Sequence, residues 1–448
     1  MNRLRPEPGF VERTPDSVAV FRKVCCLVAA AIIGLSPAVL AKSKSKFLAH
    51  HAHHHAVHIA RVPGASFAGK LADARAAAQV TDVRVAVAAP TEFLSHSAIL
   101  DSDSARLARI GQHLIVGFES YDALETLVEK QAIAGVFITA HNVRGLSLSA
   151  VKERIGNLQD IRKSQGLPPL IIAADQEGGQ VSRLSPPLKY QPSLAQVLRG
   201  AKDDATRQKV VEDYASLQAQ DLKRIGVTLN FAPVVDLNLN ASNGDDGATK
   251  LRYRAIAADP YLVAKVADWY CAVFLKNGLM CTLKHFPGLG RVKHDTHVVS
   301  GEVSATEGQL ELNDWVPFRR LMLRPNVATM LGHVRVGVLD NDTPASFSST
   351  IIGTLIRGQW QYDGLLITDD FSMGAITNGK DGIGPAAVKS LKAGADLILV
   401  SFNEKHLDGI LNALLQADAD QRLDAKQLED SHARIVRTLQ QTRDAASE

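Results

Sequence analysis

The sequence predicts an α/β chain whose main body is a single (β/α)8 TIM-type barrel, and three observations carry that expectation. Eight short apolar, β-branched runs follow one another from about Ala105 onward. Segments with helical spacing separate them, the alternation expected of a parallel sheet buried on both faces. Polar residues gather where the runs end, which is the rim at which barrels of this kind keep their chemistry. Eight units in one run favour a closed barrel over an open doubly wound sheet. No Gly-rich dinucleotide fingerprint follows the first run, which weakens a nucleotide-binding alternative.

Two segments precede the barrel. Arg22 and Lys23 stand before an apolar stretch, 24–35, which Ser36, Pro37 and Val39-Leu40-Ala41 follow. A basic region, a short apolar region and a small-residue cleavage site read as a secretory signal peptide over residues 1–41. The stretch is shorter than the ~20 residues of a membrane span. No stable membrane span is therefore expected after cleavage, and the mature protein is expected to be periplasmic or secreted. Residues 42–95 begin Lys42-Ser43-Lys44-Ser45-Lys46 and run into His50, His51, His53, His54, His55 and His58. Such composition seldom builds a core, and this segment is expected to be a poorly ordered, solvated linker with adventitious metal affinity. The barrel is assigned to residues 96–448.

Within it the expected strands are 113–118, 135–139, 170–174, 228–232, 280–284, 328–333, 364–368 and 396–400. Two intervening helices are clearest. One spans 206–225, with Val210, Tyr214, Leu217 and Leu222 on one stripe, and the other 260–277, with Val263, Val266, Trp269 and Phe274. Of the four cysteines, Cys25 and Cys26 fall in the signal peptide. Cys271 on the second helix and Cys281 on the next strand could pair in an oxidising compartment, but helix-to-strand spacing favours two buried free thiols. The 448 residues carry a net charge of only +3, with 46% apolar and 22% charged residues. That is ordinary for a soluble enzyme, and with no basic run interleaved with aromatics it argues against a nucleic-acid partner.

The strand ends hold the chemistry. Strand three ends in Asp175-Gln176-Glu177-Gly178-Gly179 with Arg183 beyond, and strand four runs into Pro233 and Asp236. Strand five ends in Lys284-His285-Phe286-Pro287-Gly288 and its loop carries Asp295-Thr296-His297. Strand six ends in His333, and strand seven in Thr368-Asp369-Asp370. A single carboxylate at a strand end is often only a helix cap. Five such groups on one rim cost more to bury than a structural role repays. Glycosidic cleavage needs a carboxylate to attack or stabilise the sugar and a group to protonate the leaving oxygen. Asp369 suits the first task. His297, oriented and stabilised by Asp295, suits the second. Asp175, Arg183, Arg254, Lys284 and His285 are candidates for holding sugar hydroxyls and acyl groups. Plainer readings stand beside these: Glu177 organising its loop, Asp370 bonding loop backbone, His333 plugging the barrel top. A metal-dependent hydrolase would instead use His285, His297, His333 and Asp369 as ligands. Its usual His-x-His on strand one is missing, so neither metal nor cofactor is expected.

The segments 175–181, 230–236, 284–288 and 364–370 together resemble glycoside hydrolase family 3, in its bacterial β-N-acetylhexosaminidase branch. The resemblance covers roughly residues 105–435. It implies a retaining exo-β-N-acetylglucosaminidase acting on peptidoglycan-type or chito-oligosaccharides. Asp369 would form the glycosyl-enzyme, and His297, tuned by Asp295 on a mobile loop, would act as acid/base. Asp175, Arg183, Arg254, Lys284 and His285 would bind the terminal N-acetylglucosamine. The chain departs from the family where Leu289 replaces a usual His, in the Arg254-Ala255-Ile256 segment and in an Asn/Gly/Asp-rich insertion, 240–247. A family 3 β-glucosidase, an N-acetylglucosaminide phosphorylase and a non-catalytic sugar-binding barrel are the alternatives. The Asp-x-His loop favours the hexosaminidase branch, and retention of both Asp369 and His297 favours catalysis.

Overall fold

The computed structural model describes residues 93–239, 249–293, 295–401 and 404–447. The signal peptide and nearly all of the linker expected from the sequence lie outside them. Among the described residues no helix is long and apolar enough to cross a membrane.

Eight parallel strands close on themselves. They are β1 (Leu114–Val116), β2 (Gly135–Ile138), β3 (Ile171–Ala174), β4 (Leu229–Asn230), β5 (Met280–Phe286), β6 (Val327–Leu331), β7 (Leu365–Asp370) and β8 (Leu397–Val400). Each pairs with its neighbours in chain order, and β1 pairs with β8 to complete the barrel. All eight coincide with the expected runs. Their burial explains why they read as continuous apolar text: one set of alternate side chains faces the helices and the other fills the interior. Ile115, Phe137, Ile171, Ala173, Phe231, Met280, Met330, Ile367 and Leu399 belong to the interior cluster, the layered packing that makes such a barrel a solid core. Ile435 and Leu439 of the Ala425–Asp444 helix join that cluster.

Two details differ from the expectation. In the Asp204–Arg224 helix the buried stripe runs through Val211, Tyr214, Ala215, Gln218, Ala219 and Leu222, while Leu217 is 58% exposed. Gln218 earns its buried place by hydrogen bonds: it accepts from Tyr270 Oη at 2.5 Å and donates to Tyr214 Oη at 3.2 Å. This polar contact rotates the stripe away from Val210 and Leu217. The second difference is a disulfide between Cys271 and Cys281, with Cα atoms 5.7 Å apart, where free thiols were expected. The turn at Asn277–Gly278 is tight, with Gly278 at φ +75° and the Leu279 amide bonded back to Phe274 O. It folds β5 directly beneath the last turns of the Pro260–Lys276 helix. Asn326 fastens the same corner, donating to Cys271 O and Leu279 O at 3.1 Å.

Above the C-terminal ends of the strands lie two small additions. Gln176–Gly178 and Val181–Ser182 form an antiparallel hairpin after β3. Gly301–Val303 and Val334–Val336 pair in parallel across the loops after β5 and β6.

Candidate active site

The hairpin after β3 depends on glycine. Gly178 sits at φ +86°, and a Cβ there would lie 2.3 Å from both Pro192 O and Tyr214 Oη. Held in this way, Glu177 turns its carboxylate inward onto two cations. Its Oε1 receives Lys284 Nζ at 2.6 Å and Arg254 Nη2 at 2.7 Å, and its Oε2 receives Arg254 Nε at 2.8 Å. Lys284 Nζ also donates to Asp175 Oδ1 at 2.6 Å. Lys284 and Glu177 are 2% and 7% exposed. Burial alone would push Glu177 up, yet Arg254 and Lys284 outweigh it and hold the carboxyl down at about 2. Burial likewise disfavours the Lys284 charge, but Asp175 and Glu177 raise its pKa. Both partners thus stay ionised.

Asp236, fully buried beyond β4, fixes His285. Its carboxylate accepts the backbone amides of His285 at 3.1 Å and Leu289 at 2.7 Å, and lies 2.7 Å from His285 Nδ1. A carboxylate only accepts, so Nδ1 carries the proton. Farther along the same loop, Asp295 holds His297 in two ways. Its Oδ1 accepts the His297 backbone amide and sits against Nδ1, both at 2.9 Å. The His297 side chain is 46% exposed and that of Asp295 15%.

Asp369, half-buried at the end of β7, accepts the Asp370 amide on Oδ1 at 2.8 Å. Burial raises its pKa, but the charges of His285 and His333, the Asp370 amide and His297 together bring it below the ordinary carboxylate value. Asp370 accepts the Ser372 and Ser401 amides, both at 2.9 Å. It therefore does the structural work read from its position, joining β7 to β8. His333 is wholly buried, with Nδ1 on Ser346 Oγ at 2.8 Å and Nε2 donating to Asp370 O at 3.0 Å. Burial lowers its pKa. It braces the barrel top, and with both nitrogens engaged the four-ligand metal set is not assembled.

Asp175, Arg183, Arg254, Lys284, His285, His297 and Asp369 all line one cavity of about 400 Å³. Asp295 stands behind His297 rather than on the wall. Phe137, Phe231 and Met330, residues of the barrel interior, close the cavity's floor. The cavity also takes in His141 and Met373, which the sequence reading passed over. His141 follows β2 by three positions, so the strand-end rule that found the others applies to it equally. The sequence places Asp236 at its strand end, but its partnership with His285 spans 49 residues and nothing local announces it.

A family model described as the glycosyl hydrolase family 3 N terminal domain matches residues 107–438. The chain is 30% identical over 331 residues to a β-hexosaminidase of Idiomarina loihiensis, covering 73% of this chain and 95% of that protein. A family 3 β-N-acetylglucosaminidase from a Paenibacillus species superposes with a TM-score of 0.68 at 30% identity. That alignment covers 76% of this chain and spans 62% of the longer Paenibacillus protein. A family 3 glycosyl hydrolase from Mycobacterium smegmatis superposes at 0.66 with 31% identity, covering 76% of this chain and 98% of that one.

Proposed function

The chain belongs to glycosyl hydrolase family 3, and from that premise we propose how its rim residues cut a glycosidic bond. It is a glycoside hydrolase, a β-hexosaminidase that removes terminal β-linked N-acetylglucosamine. The reaction proceeds with retention, in two displacements. Asp369 attacks the anomeric carbon while the bond to the leaving oxygen breaks and that oxygen takes a proton from His297. The ester to Asp369 is then opened by water, which gives its proton back to His297 as its oxygen joins the anomeric carbon. Asp295 keeps the imidazole in the tautomer with Nδ1 protonated and stabilises it while charged. Lys284, Arg254, Arg183, Asp175 and His285 grip the sugar's hydroxyls and acetyl group. The observation that carries the reading is that the Asp369 carboxylate and an Asp-paired His297 line one dead-end cavity. The closed floor supports exo action, since a chain can enter only by its end.

The substrates are peptidoglycan-type or chito-oligosaccharides, met outside the cytoplasm. The signal peptide expected over 1–41 and a disulfide, a bond that persists in oxidising compartments, support that location. The test compares chromogenic N-acetylglucosaminide with glucoside, with and without phosphate, for the native enzyme and Asp369→Asn. Hydrolysis of the N-acetylglucosaminide alone is expected, independent of phosphate. Asp369→Asn should fold and bind sugar but not turn over. More than a few per cent residual activity in that variant removes Asp369 from the role.

A further inference from the structure

The loop that carries His297 is seated on the same turn that carries Asp369. Asp295 gathers the loop from within, its backbone oxygen accepting the Val298 and Val299 amides at 3.1 Å. On the outside, the Gly374 amide donates to His297 O at 2.9 Å, and Asn378 Nδ2 reaches Val298 O at 3.4 Å. Gly374 is fixed in turn to the end of β7, because the adjoining Met373 amide donates to Asp370 O at 3.0 Å. The same oxygen receives His333 Nε2, and the Asp370 amide holds Asp369 Oδ1. A short chain of bonds thus runs from the carboxylate to the backbone of the histidine.

Gly374 opens the Gly374–Thr377 helix, and its backbone has no left-handed angle that would call for glycine. In a helix, alanine is favoured over glycine by about 1 kcal/mol, so local preference points the other way. Space is what demands glycine here. A Cβ at this position would fall 2.5 Å from Val298 O, 2.8 Å from His297 O and 3.0 Å from Asn378 Nδ2. The first two are backbone oxygens, which move only if the loop moves. One added methyl group therefore forces the acid/base loop and this turn apart at their seat, where the clash falls on the loop's backbone and not on Asp369 itself.

We infer that Gly374 is a positioning residue for the reaction: its bare Cα and its amide set the height of His297 above Asp369. This rests on the reading of His297 as acid/base. Displacements near 1 Å in a reacting geometry cost up to a hundredfold in rate.

The test uses dependence on the leaving group, which a general change in stability does not alter. An activated dinitrophenyl N-acetylglucosaminide needs almost no proton to depart, whereas a disaccharide of N-acetylglucosamine does. In the full-length enzyme, Gly374→Ala should lower kcat/KM for the disaccharide by roughly ten- to a hundredfold. For the dinitrophenyl substrate kcat/KM should fall by no more than about threefold, with the thermal midpoint recorded alongside. Asn378→Ala, which adds no atoms, should show the same selectivity at about two- to fivefold, and it carries the test if Gly374→Ala does not fold. His297→Ala run in parallel separates the two ideas. If His297→Ala is selective for the disaccharide and the folded seat variants are not, the inference about Gly374 fails while the acid/base reading stands. If His297→Ala slows both substrates equally, the acid/base reading fails and takes the inference with it.

Discussion

Replacing Glu177 by Gln keeps the shape of the side chain and removes one negative charge from beneath the cations proposed to grip the sugar. The structure sets the size of the effect. Glu177 is 7% exposed, and its two oxygens make three charge-assisted contacts of 2.6–2.8 Å with Lys284 and Arg254. Breaking a buried ion pair by removing one partner costs about 3–5 kcal/mol. Lys284 retains Asp175 and Arg254 retains Thr249 O, which places the loss near the lower bound. The acidity of Glu177 gives a second route to the number. Its carboxyl is held at about 2 rather than 4.5, a difference worth roughly 3 kcal/mol. Because the folded value lies below the unfolded one, that stability is fully present above pH 4.5 and drains away as the pH falls towards 2. Urea and thermal unfolding of both proteins, followed by circular dichroism at neutral pH and at about pH 3, should therefore show a gap that closes. At neutral pH Glu177→Gln should melt about 6 °C lower, at ~2 °C per kcal/mol for a domain this large. At about pH 3 most of that gap should be gone. KM should rise more than kcat falls, since the amide leaves Lys284 and Arg254 less firmly placed. Equal midpoints at neutral pH, or a gap that does not change with pH, would refute the reasoning.

Three further outcomes can be stated. Removing the disulfide as Cys271→Ala with Cys281→Ala should cost about 3 kcal/mol, from the loop entropy of a ten-residue separation; an unchanged urea midpoint would show that packing alone holds this corner. His113, buried against Asp396 O, is pushed down to about 4 by burial. Stability should accordingly fall by about 3 kcal/mol as pH drops from 6.5 to 4, a window separate from that of Glu177, and His113→Gln should flatten that part of the profile. Prolonged chelation should leave the hydrolysis rate unchanged, whereas a loss restored by zinc would point to metal chemistry at the rim.

The eight strands were legible because each is buried on both faces, so the text is apolar at every position rather than at alternate ones. That Asp369, His297 and Lys284 share one cavity was legible because all three lie at or just beyond strand ends on the same rim. What escaped was set by contacts distant in sequence. Glu177 and Arg254 lie 77 residues apart, and nothing local to either announces their bond. The Cys271–Cys281 bridge depended on how sharply Asn277 and Gly278 turn the chain, a matter of backbone angles that composition does not encode. Gln218 in a buried stripe was hidden because its partner Tyr270 lies 52 residues away on the Pro260–Lys276 helix.

The pairing of β1 with β8 bears on how the protein is made. The barrel has no closed state until its last strand is available, and roughly 290 residues separate the two edges. At ~5–20 residues per second of synthesis, about 15 to 60 s pass between the emergence of one edge and the other. During that interval β1 presents an unpaired edge, and Asp369 on β7 has yet to join the residues of β3 and β5. A nascent chain therefore cannot assemble this cavity until β8, which pairs with β1 and brings Leu399 to the wall, has been made.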